Sequence, residues 1–170
     1  MSLPPFDQRD GFIWSNGALV PWRDAKLHVL SHGLHYGSCV FEGERAYGGV
    51  IFKSSEHSER FKRSGEILDF EIPYSVAELN AAKDATVKAN GLTNCYVRPV
   101  AWRGSEMMAV AAQNSTINVA IAVWDWPSMF DISTKMKGIK LDIAEYCRPD
   151  PRTSPSMAKA AGLYMICTIS

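Results

Sequence analysis

Residues 39–47 read Cys-Val-Phe-Glu-Gly-Glu-Arg-Ala-Tyr, and the expected architecture is built around them. Its apolar and aromatic content predicts a β-strand that closes at Gly48-Gly49, with Val50-Ile51-Phe52 as the return. Successive strand side chains point to opposite faces, so Phe41, Gly43, Arg45 and Tyr47 share one side. A second strand, Tyr96 to Arg103, repeats the arrangement, with Tyr96, Arg98, Val100 and Trp102 together. Pro99 predicts an edge position or a bulge for it. Each strand thus sets an aromatic residue and an arginine on one face. Such a face can clamp a carboxylate in a largely apolar pocket. The same spacing also allows surface ion pairs whose aliphatic stems lie along the sheet.

Outward from this stretch the elements alternate. Phe12-Ile13-Trp14 and Ala18-Leu19-Val20 flank Asn16-Gly17, the signature of a tight hairpin. A helix starts near Ser54 or Ser55 and carries Glu56 to Leu68. A second starts at Ser75-Val76-Ala77-Glu78, a capping box stapled by Tyr74 and Leu79. Val76, Leu79 and Ala82 face inward, and Asn90-Gly91 stops the helix. Ile117 to Trp124 is nearly continuous apolar, which suits a strand buried on both faces. Pro127, Ser128 and Asp131 break the pattern, and Lys137 to Tyr146 alternates again as a strand. Residues 148–155 form a proline-rich loop, and Ala158 to Ile169 predicts the beginning of a buried helix. The expected architecture is α+β. A small domain of antiparallel sheet with two helices spans 1–124, a linker 125–135, and the first elements of a second domain 136–170. An apolar segment runs to Ile169 without a cap, so the expectation is a truncated second domain.

The 170 residues carry 18 Lys plus Arg against 18 Asp plus Glu, a net charge of zero. That balance argues against nucleic acid or an anionic membrane as partner. No apolar run approaches the roughly 20 residues of a membrane span, and the first residues lack a secretory pattern. Cys39, Cys95, Cys147 and Cys167 are scattered without a CxxC pair, which fits a reduced, cytoplasmic protein. His28, His32 and His35 have helical spacing for zinc, but no acidic or sulfur ligand stands nearby at metal spacing. Hydrogen-bonded structural histidines are the better reading, with no metal. A Cys-His nucleophilic pair has no local signature. Lys159 lies in Met157-Ala158-Lys159-Ala160-Ala161-Gly162. Kept dry there it is an amine nucleophile for Schiff-base chemistry; left in water it is an ordinary surface lysine.

Taken together, these segments resemble the branched-chain amino acid aminotransferases, which are class IV (fold type IV) pyridoxal-phosphate enzymes. The matching pieces are Ile13-Trp14 with Asn16-Gly17, the run Asp24 to Gly37, and Val40-Phe41-Glu42-Gly43-Glu44-Arg45-Ala46-Tyr47. Glu56-His57 with Arg60, Tyr96-Val97-Arg98-Pro99, and Ala158-Lys159-Ala160-Ala161-Gly162 with Tyr164 complete them. The resemblance implies a small domain of that fold followed by the start of the large cofactor domain. It implies pyridoxal 5'-phosphate held by Lys159 as a Schiff base, with Lys159 also moving the substrate proton. Arg60 matches the cofactor-phosphate arginine and Tyr164 the tyrosine beside the cofactor's phenolic oxygen. Tyr36, Phe41, Gly43, Tyr96 and Trp126 match the substrate pocket. Arg45 and Arg98 match the carboxylate-handling arginines, Arg98 taking the glutamate side chain.

The implied reaction is ping-pong amino transfer between Leu, Ile or Val and 2-oxoglutarate in a homodimer. Amino acids and 2-oxo acids are the implied partners. Relatives of the same fold that use D-amino acids, or act as aminodeoxychorismate lyases, are the alternatives. A non-catalytic self-associating fragment is the reading from a different class. Two departures stand out: Glu44 where the Phe-Glu-Gly-x-Arg motif commonly has an apolar residue, and Leu163 where many relatives have Asn. An incomplete cofactor domain predicts weak cofactor binding and little turnover for the 170-residue chain alone.

Overall fold

A computed structural model describes residues 4–126 and 132–169. Among them, seven antiparallel strands form one sheet. They are β1 (Phe12–Ser15), β2 (Ala18–Pro21), β3 (Cys39–Phe41), β4 (Glu44–Tyr47), β5 (Val50–Ile51), β6 (Cys95–Arg103) and β7 (Ile117–Trp124). Their order is β2-β1-β7-β6-β4-β5, with β3 also paired to β6. The helices are α1 (His32–Tyr36), α2 (Ser54–Ile67), α3 (Val76–Ala89), α4 (Ile132–Lys137) and α5 (Met165–Ile169). The α+β class read from the sequence is the observed one.

The hairpin between β1 and β2 turns on Asn16 and Gly17, both at positive φ. At the start of α3, Ser75 and Glu78 form the reciprocal capping box read from the sequence. One sheet face buries Val40, Ala46, Val97, Ala101, Val119 and Ile121 against Phe61, Leu79, Ala82 and Val87 of the two long helices. Each large apolar side chain among them contributes about 1.5–3 kcal/mol by leaving water. The alternate residues of β6, Tyr96, Arg98, Val100 and Trp102, lie half-buried on the other face. This second face carries the candidate site.

The strand read as continuous over 39–47 is two strands, and Pro99 is the reason. Phe41 pairs with Val100 and Glu44 with Val97, so the register does not slip across the break. Between those pairs the Glu42 amide donates to the Pro99 carbonyl at 2.9 Å. Proline has no N–H to return, and the ladder lapses for two residues. Pro99 therefore sits inside the sheet, between β7 on one side and β3–β4 on the other, and not on an edge. Because the register holds, the side-chain parity expected from the sequence survives the break.

The C-terminal part differs from the expectation in two places. Ile139, Leu141 and Ile143 alternate as a strand would, yet they are 69%, 85% and 95% exposed. No strand among the described residues pairs with them, and a strand without a neighbour has no ladder to form. The expected buried helix from Ala158 is a 3₁₀ turn over Ala161–Tyr164 followed by α5, with no buried residue in either. Of the expected linker, residues 127–131 lie outside the described residues, and α4 occupies 132–137.

Candidate active site

The backbone around Lys159 is fixed before its side chain is considered. Ala160 forms a β-bridge with Val40. The Phe41 amide donates to the Lys159 carbonyl at 3.1 Å, and the Lys159 amide donates to Ser64 Oγ at 3.0 Å. Lys159 is thus pinned between β3 and α2. The small residues beside it have a structural purpose, because Ala158 and Ala160 are buried at 5% and 3% exposure. From this mount Lys159 Nζ donates to the Tyr164 hydroxyl at 2.6 Å. The same nitrogen lies 4.6 Å from the Phe41 ring centroid and 4.8 Å from that of Tyr164. Aromatic faces at this distance attract an ammonium while excluding water from one side of it.

Arg98 completes the neighbourhood. Its guanidinium carbon is 4.7 Å from the Phe41 ring centroid and 5.1 Å from that of Tyr96, and Nη2 donates to the Tyr96 hydroxyl at 2.9 Å. Its Nε is buried and has no hydrogen-bond partner among the described residues. A buried guanidinium donor left unpaired costs free energy unless an anion arrives to accept from it. Tyr96 is flanked by the rings of Trp124 at 4.9 Å and Trp126 at 5.0 Å. Arg45 Nη1 donates to the Trp126 carbonyl at 3.1 Å. Gly43 allows this packing, since a Cβ there would stand 2.0 Å from the Tyr96 hydroxyl. A cavity of about 820 Å³ opens on the same face, with Arg98, Val100 and Trp102 on one wall, Leu27 and His28 on another, and Gly162 at the rim.

Lys159, Tyr164, Phe41, Arg98, Tyr96, Trp126, Arg45 and Gly43 therefore form one continuous set of neighbours. Arg60 stands on α2, half-exposed, and its hydrogen bonds among the described residues go to Glu42. Tyr36 is not joined to the set among the described residues; its ring stacks on His32 at 4.5 Å. The histidines serve the chain itself. His32 is 4% exposed, with Nδ1 at 2.6 Å from Ser38 Oγ and Nε2 at 2.9 Å from the Ala109 carbonyl. Cys39 carries a thiol pushed up to about 11 by burial, too high for a thiolate nucleophile at neutral pH.

Residues 39–168 match the sequence pattern of the Amino-transferase class IV family. The chain belongs to the class IV aminotransferases. It is 42% identical over 161 residues to the branched-chain-amino-acid aminotransferase of Pseudomonas aeruginosa, covering 92% of this chain and 52% of that one. It is 39% identical over 160 residues to the enzyme of that name from Escherichia coli, covering 91% and 52%. In structure it is similar to a crystallised branched-chain amino acid aminotransferase with pyridoxamine 5'-phosphate. That match has a TM-score of 0.89 at 38% identity and covers 94% of this chain and 54% of that one. The enzyme of Thermoproteus uzoniensis with norvaline gives a TM-score of 0.86 at 33% identity, covering 94% and 54%. The chain spans about half the length of these relatives. The fold type IV assignment stands on them.

Sequence reasoning gave no role to four titratable residues of this class IV chain. Glu42 is fully buried and receives Arg60 in a fork, Nε to Oε1 at 2.5 Å and Nη2 to Oε2 at 2.7 Å, with His57 Nδ1 at 2.8 Å from Oε2. Burial pushes the Glu42 carboxyl up, and the hydrogen bonds from Arg60 and His57 more than offset it, leaving it below the ordinary range. Glu44, the departure from the motif, is also buried, with Lys83 Nζ at 2.9 and 3.2 Å from its oxygens. Lys83 donates further to the Ser54 carbonyl at 2.9 Å. Burial raises Glu44 and lowers Lys83, each opposed by its partner. A signal for this pair was present in the sequence. Lys83 follows Leu79 by four residues and so occupies a core-facing helix position, while Glu44 occupies a core-facing strand position.

Proposed function

We propose that this chain carries the small-domain half of the active site, and the lysine, of a pyridoxal-phosphate-dependent branched-chain amino acid aminotransferase. The observation that carries the reading is Lys159 Nζ on the Tyr164 hydroxyl at 2.6 Å, against Phe41, whose ring also meets Arg98. The donor set fits the cofactor. Lys159 offers a primary amine, Tyr164 a hydroxyl that accepts from it, and Arg60 an Nη1 with no hydrogen bond among the described residues, available to a phosphate. Pyridoxal phosphate supplies an aldehyde that condenses with amines and a conjugated ring that takes up the electron pair left at the substrate Cα.

The chain's residues then have separate tasks. Lys159 would hold the cofactor through its amine, and the same amine, when free, would move the proton at the substrate Cα. Tyr164 orients that amine by accepting from it. Phe41, Tyr96 and Trp126 make an apolar wall suited to the side chains of Leu, Ile and Val. Arg98, through its unpaired Nε, donates to the side-chain carboxylate when glutamate or 2-oxoglutarate occupies the same space. One pocket thereby serves both halves of a ping-pong exchange. Arg45 lends a second guanidinium near the Trp126 backbone.

The partners are amino acids and 2-oxo acids. We infer a homodimer, supported by the exposure of Leu27, Val29, Leu30 and Leu34 on one short segment beside the cavity, a patch that a second copy can cover, and a cytoplasmic location, supported by four free cysteines without a CxxC pair. No helix among the described residues is long and apolar enough to cross a membrane. The test uses the intact protein with pyridoxal phosphate, leucine and 2-oxoglutarate, and measures glutamate formed. The expected result is glutamate with leucine, none with D-alanine, and none from Lys159→Ala. Equal activity of Lys159→Ala and parent would overturn the reading.

A further inference from the structure

The residue that holds Arg60 is itself built into the core. Glu42 is fully buried, and its carboxylate receives Arg60 Nε and Nη2, His57 Nδ1 and, at 3.2 Å, the Gly43 amide. Its own amide donates to the Pro99 carbonyl at 2.9 Å, and proline has no N–H to return the bond. A carboxylate held on this many sides has one orientation. A bidentate fork transmits that orientation to the guanidinium plane. The Arg60 side chain is otherwise half-exposed and would sample many rotamers. The fork occupies one edge of the guanidinium and leaves Nη1 unengaged among the described residues.

We propose that Glu42 is the positioning residue of the cofactor-phosphate arginine, with His57 as its second support. The proposal rests on the reading of Arg60 given above. Pre-orienting a long side chain removes the rotamer entropy that phosphate binding would otherwise have to supply. Glu42 has a neighbour that could compete for Arg60, because Glu44 lies on the same strand face two residues on. Lys83 satisfies Glu44 separately at 2.9 Å, which leaves the Arg60 fork to Glu42 alone. The acidic residue at position 44 and the lysine at 83 thus keep the two carboxylates from exchanging partners.

The test compares two ligands in the intact protein, pyridoxal 5'-phosphate and pyridoxal, which lacks the phosphate. Dissociation constants are read from the absorbance of the bound form. Removing charge with Glu42→Gln should weaken the phosphorylated ligand about tenfold or more, as expected for losing hydrogen bonds to a charged group. Pyridoxal should change by less than about twofold. A merely structural role would weaken both ligands together, and that result would overturn the proposal. Arg60→Met separates the two layers. If Arg60→Met removes the phosphate preference and Glu42→Gln leaves it intact, the positioning role fails while the Arg60 reading stands. If Arg60→Met itself leaves the preference intact, the Arg60 reading fails and takes the positioning role with it. Should Glu42→Gln not fold, His57→Asn takes its place, with a smaller loss in the same direction expected and an unchanged preference overturning the proposal.

Discussion

Tyr164 accepts a hydrogen bond from Lys159 Nζ at 2.6 Å, and the two side chains close around the ring of Phe41, whose centroid is 4.9 Å from that of Tyr164. The relationship joins a turn at residue 164 to a strand at residue 41 through the Lys159 amine. Replacing Tyr164 with Phe keeps the ring and deletes the acceptor. A hydrogen bond to a charged group is worth about 1.5–3 kcal/mol. Amino transfer by Tyr164→Phe should therefore fall about tenfold or more in kcat/KM, with unfolding by urea little changed. An unchanged kcat/KM would remove Tyr164 from the site.

Gly43 is defined by what cannot stand there. A Cβ 2.0 Å from the Tyr96 hydroxyl must displace that ring, and with it the hydroxyl that receives Arg98 Nη2. Overpacking of this kind costs about 1–3 kcal/mol. Gly43→Ala is expected to raise KM for 2-oxoglutarate more than KM for leucine, because the displaced hydroxyl is the partner of Arg98, the arginine proposed to take the carboxylate. Equal changes in both constants would argue that Tyr96 and Arg98 do not work as a unit.

Lys83 and Glu44 predict a stability effect with a distinctive pattern. Removing one partner of a buried ion pair strands the other, at a cost of about 3–5 kcal/mol. Replacing both with apolar residues is often neutral. Lys83→Met should therefore destabilise strongly, and Lys83→Met with Glu44→Leu should recover most of the loss in urea unfolding. A double variant as unstable as the single one would mean that the pair supplies more than mutual neutralisation.

The site was legible where local rules apply and hidden where they do not. Strand parity put Phe41 with Arg45 and Tyr96 with Arg98, and parity depends only on alternation along each chain segment. The break at Pro99 was half visible: the missing N–H was read, but whether proline sits at an edge depends on the strand order, which single-strand patterning does not contain. The placement of Lys159 beside β3 rests on a bridge between residues 160 and 40, a long-range contact that periodicity cannot express. The family resemblance implied a cofactor role for Lys159 but not its place beside this strand. Lys83 is an exception to the rule that lysines face water, and its complement Glu44 lies on the inward strand face 39 residues away, a pairing that local patterning does not express. The exposed Ile139, Leu141 and Ile143 show the converse, a strand pattern without a neighbouring strand to realise it.

The Glu42–Arg60 fork predicts a pH dependence whose sign follows from linkage. Burial raises the Glu42 carboxyl, and its hydrogen bonds with Arg60 and His57 bring it below the ordinary range. A depressed folded-state value contributes stability that is present above the ordinary glutamate value of about 4.3 and is lost as pH falls through the folded value. The stability difference between parent and Glu42→Gln should be largest near neutrality and shrink below about pH 4. Urea unfolding at a series of pH values reads it directly. A difference that grows in acid would contradict the assigned charge on Glu42.

The cofactor and substrate roles proposed above depend on which amine takes the cofactor. The intact protein is incubated with pyridoxal phosphate, reduced with borohydride and digested, and the modified peptide is sequenced. The expected result is a single labelled lysine, at 159, with the label absent from Lys159→Ala. Label on another lysine, at the same yield with and without Lys159, would contradict it.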